Sequence, residues 1–185
     1  MPARTTRGPT DPTRRDRIAA AAWQVVLDRG VPALSHRAVA DTAGVPLGST
    51  TYHFSGLDDL LVTATEQAVE EYRRDLAAWS EGIERDGTDL AEAICDLVRT
   101  ALGPDRHRTT VSYDLYVTAL RRPAVVDAAR AWAFVTRAAL ARHVDARAAR
   151  AITALLDGVL LDALVHDDAL PDDDLRAIIR AIIPA

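Results

Sequence analysis

Along most of this chain the apolar residues return every three or four positions, and no credible alternating run of strand length interrupts them. That period lines one face of a helix, so the pattern predicts an all-α protein. Ile18, Ala22, Val25 and Val26 form the first stripe, with Asp11 as its cap, Pro12 in its first turn and Gly30 as its stop. Ser35 opens a short helix that carries Val39, Ala40 and Ala43 and closes at Gly44. Pro46 opens a third, which Phe54-Ser55-Gly56 must break. Ser55, with Asp58 three places on, then starts a long fourth helix in the manner of a capping box. Beyond it the spacing predicts a loop over 81–89, a helix over 89–102, a loop over 103–108, and helices over 110–121, 124–143 and 145–166. A last short helix carries Leu175, Ile178, Ile179, Ile182 and Ile183. Residues 1–10 read as a mobile arm, 11–56 as a small helical domain and 57–185 as a larger one.

Composition narrows the class. With 185 residues, 49% of them hydrophobic, the chain can bury a substantial core. One cysteine, Cys95, excludes an intrachain disulfide framework, and no apolar leader precedes the first helix, so the expected location is cytoplasmic. The most apolar stretch, AITALLDGVLLDALV from Ala151, is interrupted by Asp157 and Asp162 and reads as a buried helix of a soluble protein, not a lipid-exposed span. The net charge is −5, yet residues 1–53 hold seven arginines against four aspartates, which leaves −8 on the rest. The basic part is therefore the N-terminal part. All 22 basic residues are arginine, a usage that fits a GC-rich genome as well as it fits bidentate contacts.

Helix, glycine turn and helix over residues 35–53 have the layout of a helix-turn-helix, whose second helix enters the DNA major groove. Ala40 and Gly48 are small where the two helices would approach, Gly44 suits a left-handed turn, and Val39, Val45 and Phe54 can seal the underside. The third helix would then present Leu47, Ser49, Thr50, Thr51 and His53 to the groove, where short hydroxyls reach phosphates and base edges. Tyr52 would share its ring with the core and its hydroxyl with a phosphate.

These residues resemble the DNA-binding domain of the TetR family of bacterial transcriptional regulators. Arg29-Gly30, Ala43-Gly44-Val45, Gly48-Ser49, Tyr52-His53-Phe54 and Leu57–Leu61 stand in the family's order over about the first 65 residues. The resemblance implies backbone contacts from Ser35 and Arg37, groove contacts from Pro46, Leu47, Ser49, Thr50 and Thr51, and phosphate or base contacts from Tyr52 and His53. Two positions depart from the pattern: Leu47 stands where a basic residue is common, and Gly56-Leu57 replaces Ser-Lys. Arg14, Arg15 and Arg37 can compensate for the lost phosphate contacts. Bland readings stand beside these. Ser35 caps its helix with or without DNA, and His36 and Arg14 are as well suited to solvent as to contact.

For the larger domain the resemblance implies an effector-binding and dimerising body. Ile152, Leu155, Leu156, Val159, Leu160, Leu161 and Leu164 cover more than one face of a helix. With Ile178, Ile179 and Ile182 they either fill one thick core or divide between a core and a partner in an intersubunit four-helix bundle. A homodimer is the expectation, because it sets two recognition helices roughly 34 Å apart in successive grooves. Candidate residues for an effector pocket are Trp79, Cys95, Tyr113, Tyr116, Trp132, Phe134 and His143, and the scarcity of aromatics argues against a cavity specialised for flat cations.

No metal or cofactor motif and no catalytic constellation is present: His166-Asp167-Asp168 reads as a solvated helix end and Cys95 as a small buried hydrophobe. The reading is a one-component regulator, a repressor, that binds a near-palindromic operator as a homodimer and responds to an unknown small molecule. Its rival is a helical interaction module or sequence-indifferent DNA binder, and salt-dependent, sequence-selective duplex binding separates the two.

Overall fold

In the computed structural model, which describes residues 13–183, the regular structure is helical throughout. The helices are α1 (Arg14–Arg29), α2 (His36–Ala43), α3 (Leu47–His53), α4 (Leu57–Asp86), α5 (Leu90–Leu102), α6 (Arg106–Thr118), α7 (Val126–Leu140), α8 (Ala146–His166) and α9 (Asp172–Ile182). The expected arm over 1–10, with Asp11 and Pro12, lies outside the described residues.

The expected stripe on α1 is buried: Ile18, Ala22, Val25 and Val26 have no solvent exposure. They pack on Leu60, Leu61 and Ala64 of α4 in one apolar cluster that continues to Leu115 of α6 and Val135 of α7. A second cluster joins Ile94 and Val98 of α5 to Ile152 and Leu156 of α8 and to Leu175 and Ile179 of α9. At about 1.5 Å per residue, the 30 residues of α4 reach roughly 45 Å, from the end of α3 into the C-terminal bundle. The arginine of α1's second turn also holds α2, since Arg17 Nη2 donates to the Ala43 carbonyl at 2.9 Å.

Three local expectations give way to tertiary contacts. The loop over 81–89 shrinks to three residues because α4 runs on through Gly82 to Asp86. A lone helical glycine costs only about 1 kcal/mol, and the segment is anchored by buried Ile83 and by a two-pronged Glu84–Arg142 pair at 2.7 and 3.0 Å. Gly87, with φ 65°, is the true stop. Similarly α6 begins at Arg106, inside the expected 103–108 loop, because that charged turn finds partners: Arg106 on Asp167 at 3.0 Å, His107 on the Leu27 carbonyl at 2.7 Å and Arg108 on Asp75 at 2.8 Å. At Ser55 the cap partner is Asp59, whose carboxylate accepts the Ser55 N–H at 2.9 Å, while Asp58 pairs with Arg122 at 2.6 Å.

Because one apolar cluster spans α1, α4 and α7, Leu61→Ala, at a site 1% exposed, is expected to lower stability by about 2–5 kcal/mol and to do so within a single denaturant transition. Chemical denaturation followed by helical circular dichroism checks this, and an early separate loss of α1–α3 contradicts it.

Candidate DNA interface and ligand cavity

The turn between α2 and α3 is built as its residues demand. Ser35 accepts the Ala38 N–H at 3.1 Å as the N-cap of α2, and Gly44 ends that helix at φ 63°, ψ 41°, a left-handed conformation that costs other residues about 1–2 kcal/mol. Val39 and Phe54 are buried and Val45 half-buried, as the underside requires. Pro46 precedes α3, and the Ser49 N–H closes on its carbonyl at 2.8 Å.

On α3, Leu47, Thr51 and Tyr52 are exposed, and Ser49 and His53 are half-buried. Three expectations need correction. Thr50 is 0% exposed, and its hydroxyl donates to the Leu47 carbonyl at 2.8 Å and lies 3.4 Å from the His36 carbonyl, so it fastens α3 to α2 and faces away from the groove side. Tyr52 gives no ring to the core: it is 76% exposed and meets His53 edge-on at 5.1 Å, because Phe54 already fills the underside. Gly48 has open space where a Cβ would stand, so its smallness serves no contact within the chain. Arg15 and Arg37 are exposed, with the Arg15 guanidinium 5.3 Å from the centre of the Phe54 ring; Arg14 and His36 are half-buried.

A cavity of about 180 Å³ opens among α4, α5, α6, α7 and α8. Tyr72, Tyr113, Tyr116 and Trp132 wall it, with Leu76, Leu97, Val98 and Leu156 between them. Three aspartates line it, Asp75, Asp105 and Asp157, and Oδ1 of Asp157, on α8, accepts the Tyr113 hydroxyl at 3.1 Å. Burial pushes the Asp157 carboxyl above the usual carboxylate range, and the Tyr113 bond draws it partly back. Burial also raises both phenols: the Asp157 charge adds to the effect at Tyr113, and the bond to Thr136 at 3.1 Å opposes it at Tyr72. Both phenols stay neutral, and Tyr113 is a donor to Asp157. Asp75 and Arg108, paired at 2.8 Å, line another part of the wall.

Of the expected pocket residues, Tyr113, Tyr116 and Trp132 do line this space. The others lie elsewhere. Trp79 donates to the Ala93 carbonyl at 3.2 Å and meets His143 edge-on, while His143 is held by Ser80 at 2.8 Å. Cys95 is buried against the backbone of Asp172, and Phe134 points outward, 60% exposed. Tyr72, Asp75, Arg108, Thr136 and Asp157 were not anticipated. One signal for Asp157 was present in the sequence, as a charge in the middle of the most apolar run. The argument from scarce aromatics also fails, because the cavity gathers three of the chain's four tyrosines.

The proposed partner face changes in the same way. Ile152, Leu156 and Ile179 are buried within the chain, and Leu160 lines the cavity; none of the four faces outward. Leu155, Val159, Leu161, Leu164 and Ile182 are half-buried, and Ile178 is exposed. The outer stripe of α8 is instead Ala154, Gly158, Leu161 and Val165, with Ala177, Ile178 and Ala181 exposed on α9.

The described residues thus join a helix-turn-helix to a helical body that holds a partly open cavity, the architecture of a helical transcriptional regulator. Residues 85–185 match the family described as tetracyclin repressor-like, C-terminal domain. The fold is similar to that of the multidrug binding protein EbrR complexed with ethidium, with 42% identity over 93% of this chain and 99% of that one and a TM-score of 0.82. It is also similar to a TetR-family member, SCO1917 of Streptomyces coelicolor A3, with 41% identity over 94% and 100% and a TM-score of 0.76. The regulator PksA of Bacillus subtilis (strain 168) is 41% identical over 58 residues, which are 31% of this chain and 28% of PksA, so the match spans less than a third of that relative. The chain belongs to the TetR family of transcriptional regulators. Among the described residues no helix is long and apolar enough to cross a membrane.

Asp157 binds its proton more tightly folded than unfolded, so it withdraws stability as pH rises from its ordinary value of 3.8 through its raised one. Asp157→Asn is therefore expected to melt higher than the parent near neutral pH and to lose that advantage toward about pH 4. Thermal melts across this range check the sign; a variant less stable at neutral pH contradicts it.

Proposed function

We propose that this protein is a homodimeric repressor that reads an inverted-repeat operator with α3 and releases it when a lipophilic organic cation enters the cavity. The observation that carries the effector class is Asp157, a desolvated carboxylate inside an aromatic wall of Tyr72, Tyr113, Tyr116 and Trp132. Aromatic faces attract cations, and a cation supplies the charge that burial denies the carboxylate. EbrR, the similar protein, is known in complexes with ethidium, proflavin and malachite green, all of them cationic dyes.

Residues 11–56 make the DNA-reading part and 57–185 the effector-binding and dimerising part. On the groove side Leu47, Ser49, Thr51 and His53 meet base edges or phosphates, Tyr52 and Ser35 meet the backbone, and Arg14, Arg15 and Arg37 add phosphate contacts. The open space at Gly48 lets the backbone of α3 approach the duplex closely. The surplus of positive charge over residues 1–53 supports the same side. The outer stripes of α8 and α9, rich in alanine with Gly158 at the centre, favour close packing against their symmetry mates.

Selection of bound duplexes from a random pool is expected to return an inverted repeat, with affinity falling steeply as salt rises. Thr51→Ala is expected to bind that duplex about tenfold more weakly, the lower end of one base contact, whereas recovery of no motif contradicts operator reading. Malachite green titrated into the free protein is expected to bind, and Asp157→Asn to weaken it by about tenfold or more. Equal affinity in the two proteins contradicts the cation reading.

A further inference from the structure

Two side chains in the first turn of α6 make contacts that lead from the cavity toward α1. His107 turns away from the cavity and bonds the Leu27 carbonyl, near the end of α1, at 2.7 Å. Arg108 lines the cavity with Asp75, yet it also reaches Glu71 at 3.5 Å, and Glu71 lies outside the lining. The Glu71 oxygen it reaches, Oε2, is the same one that accepts the indole N–H of Trp23 at 2.9 Å. Trp23 is buried in the seam between α1 and α4. One oxygen is therefore shared between a cavity cation and the DNA-reading part of the chain.

We infer that Arg108 is a resident counter-cation of the cavity and that an incoming organic cation displaces it, switching Glu71 between Trp23 and Arg108. This rests on the cationic-effector reading. With the cavity empty, Asp75 holds the guanidinium at 2.8 Å, and Glu71 Oε2 stands closer to the indole, at 2.9 Å, than to the guanidinium, at 3.5 Å. When a cation neutralises Asp75, the guanidinium loses that partner and closes on Glu71, where a two-pronged carboxylate pair is its strongest geometry. Turning the carboxylate toward Arg108 bends and lengthens the bond from the buried indole N–H of Trp23, a cost that α1 relieves by shifting on α4. His107 moves with the same turn of α6 and carries Leu27 with it. Through Arg17 on the Ala43 carbonyl, a shift of α1 reaches the end of α2 and the turn into α3. The two arrangements differ in how the Glu71 carboxylate divides between the guanidinium and the indole, and a ligand that favours one of them biases the other site by the same free energy.

The test measures coupling separately from binding. Malachite green affinity is determined for the free protein and for the protein saturated with the duplex recovered by selection, with duplex alone as the control; the ratio of the two affinities is the coupling. Wild type is expected to show a ratio of about 5- to 150-fold. Trp23→Phe removes the N–H, and Glu71→Gln keeps an acceptor for the indole but removes the charge that draws Arg108. In both, free-protein affinity for malachite green is expected to stay within about threefold of wild type while the ratio falls toward one. Glu84→Gln, which breaks a comparable ion pair with Arg142 away from the cavity, is expected to keep the full ratio. If Trp23→Phe does not fold by circular dichroism, Glu71→Gln, at a partly exposed site, decides alone. A full ratio in Glu71→Gln overturns the switch and leaves the effector reading standing. Absence of malachite green binding to wild type, or a wild-type ratio of one, overturns both.

Discussion

The dry seam between α1 and α4 is what the rest of this protein depends on. Ile18, Ala22, Val25 and Val26 meet Leu60, Leu61 and Ala64, all of them buried, and each such side chain larger than alanine contributes about 1.5–3 kcal/mol. The helix-turn-helix thus shares its core with the body that encloses the cavity and cannot move independently of it. Close-packed seams shift between discrete arrangements and do not deform smoothly. A disturbance at one end of α4 is accordingly felt at the other.

Polar groups are placed where that rigidity can be used. Trp23 brings one N–H into the seam and finds Glu71 for it, Thr50 fastens α3 beneath α2, and Arg17 closes the carbonyl end of α2. On the cavity side, Asp157 keeps one tyrosine donor, and Asp75 keeps an arginine. Under the proposed function, the acid with only a neutral donor is the one a cationic ligand would complete, and the acid with an arginine is the one at which it would compete. The chemistry of the cavity and the mechanics of the seam meet at Arg108.

Much of the fold was legible in the sequence because the helical period and the glycine and proline punctuation are local signals. The all-α class, the helix-turn-helix, the cap at Ser35 and the left-handed Gly44 all follow from residues within a few positions of one another. What was not legible depended on partners distant in sequence. Gly82 reads as a breaker until Arg142 is placed against Glu84, and the turn over 103–108 reads as loop until Asp167, Leu27 and Asp75 arrive to hold it. Thr50 and Thr51 are indistinguishable by type, and the geometry of a seven-residue helix alone decides that one is core and the other surface. Asp157 is the instructive case. A charge in the middle of an apolar run argues against a membrane span, and the same charge was the best sign of the cavity. The apolar residues of α8 and α9 read by character as core or as partner face alike, and only the fold shows Ile152, Leu156 and Ile179 buried inside while Ala154, Gly158, Val165 and Ile178 are exposed.

The central claim is that cavity occupancy moves the two reading heads of a dimer. The direct measurement is the distance between spin labels on Arg37→Cys in the two subunits, by double electron–electron resonance, with and without malachite green. Arg37 is exposed and Cys95 fully buried, so the label goes to the introduced site. The account predicts one defined intersubunit distance that shifts by several ångströms when the cation binds. A distance distribution unchanged at saturating cation, or the absence of any intersubunit distance, contradicts it.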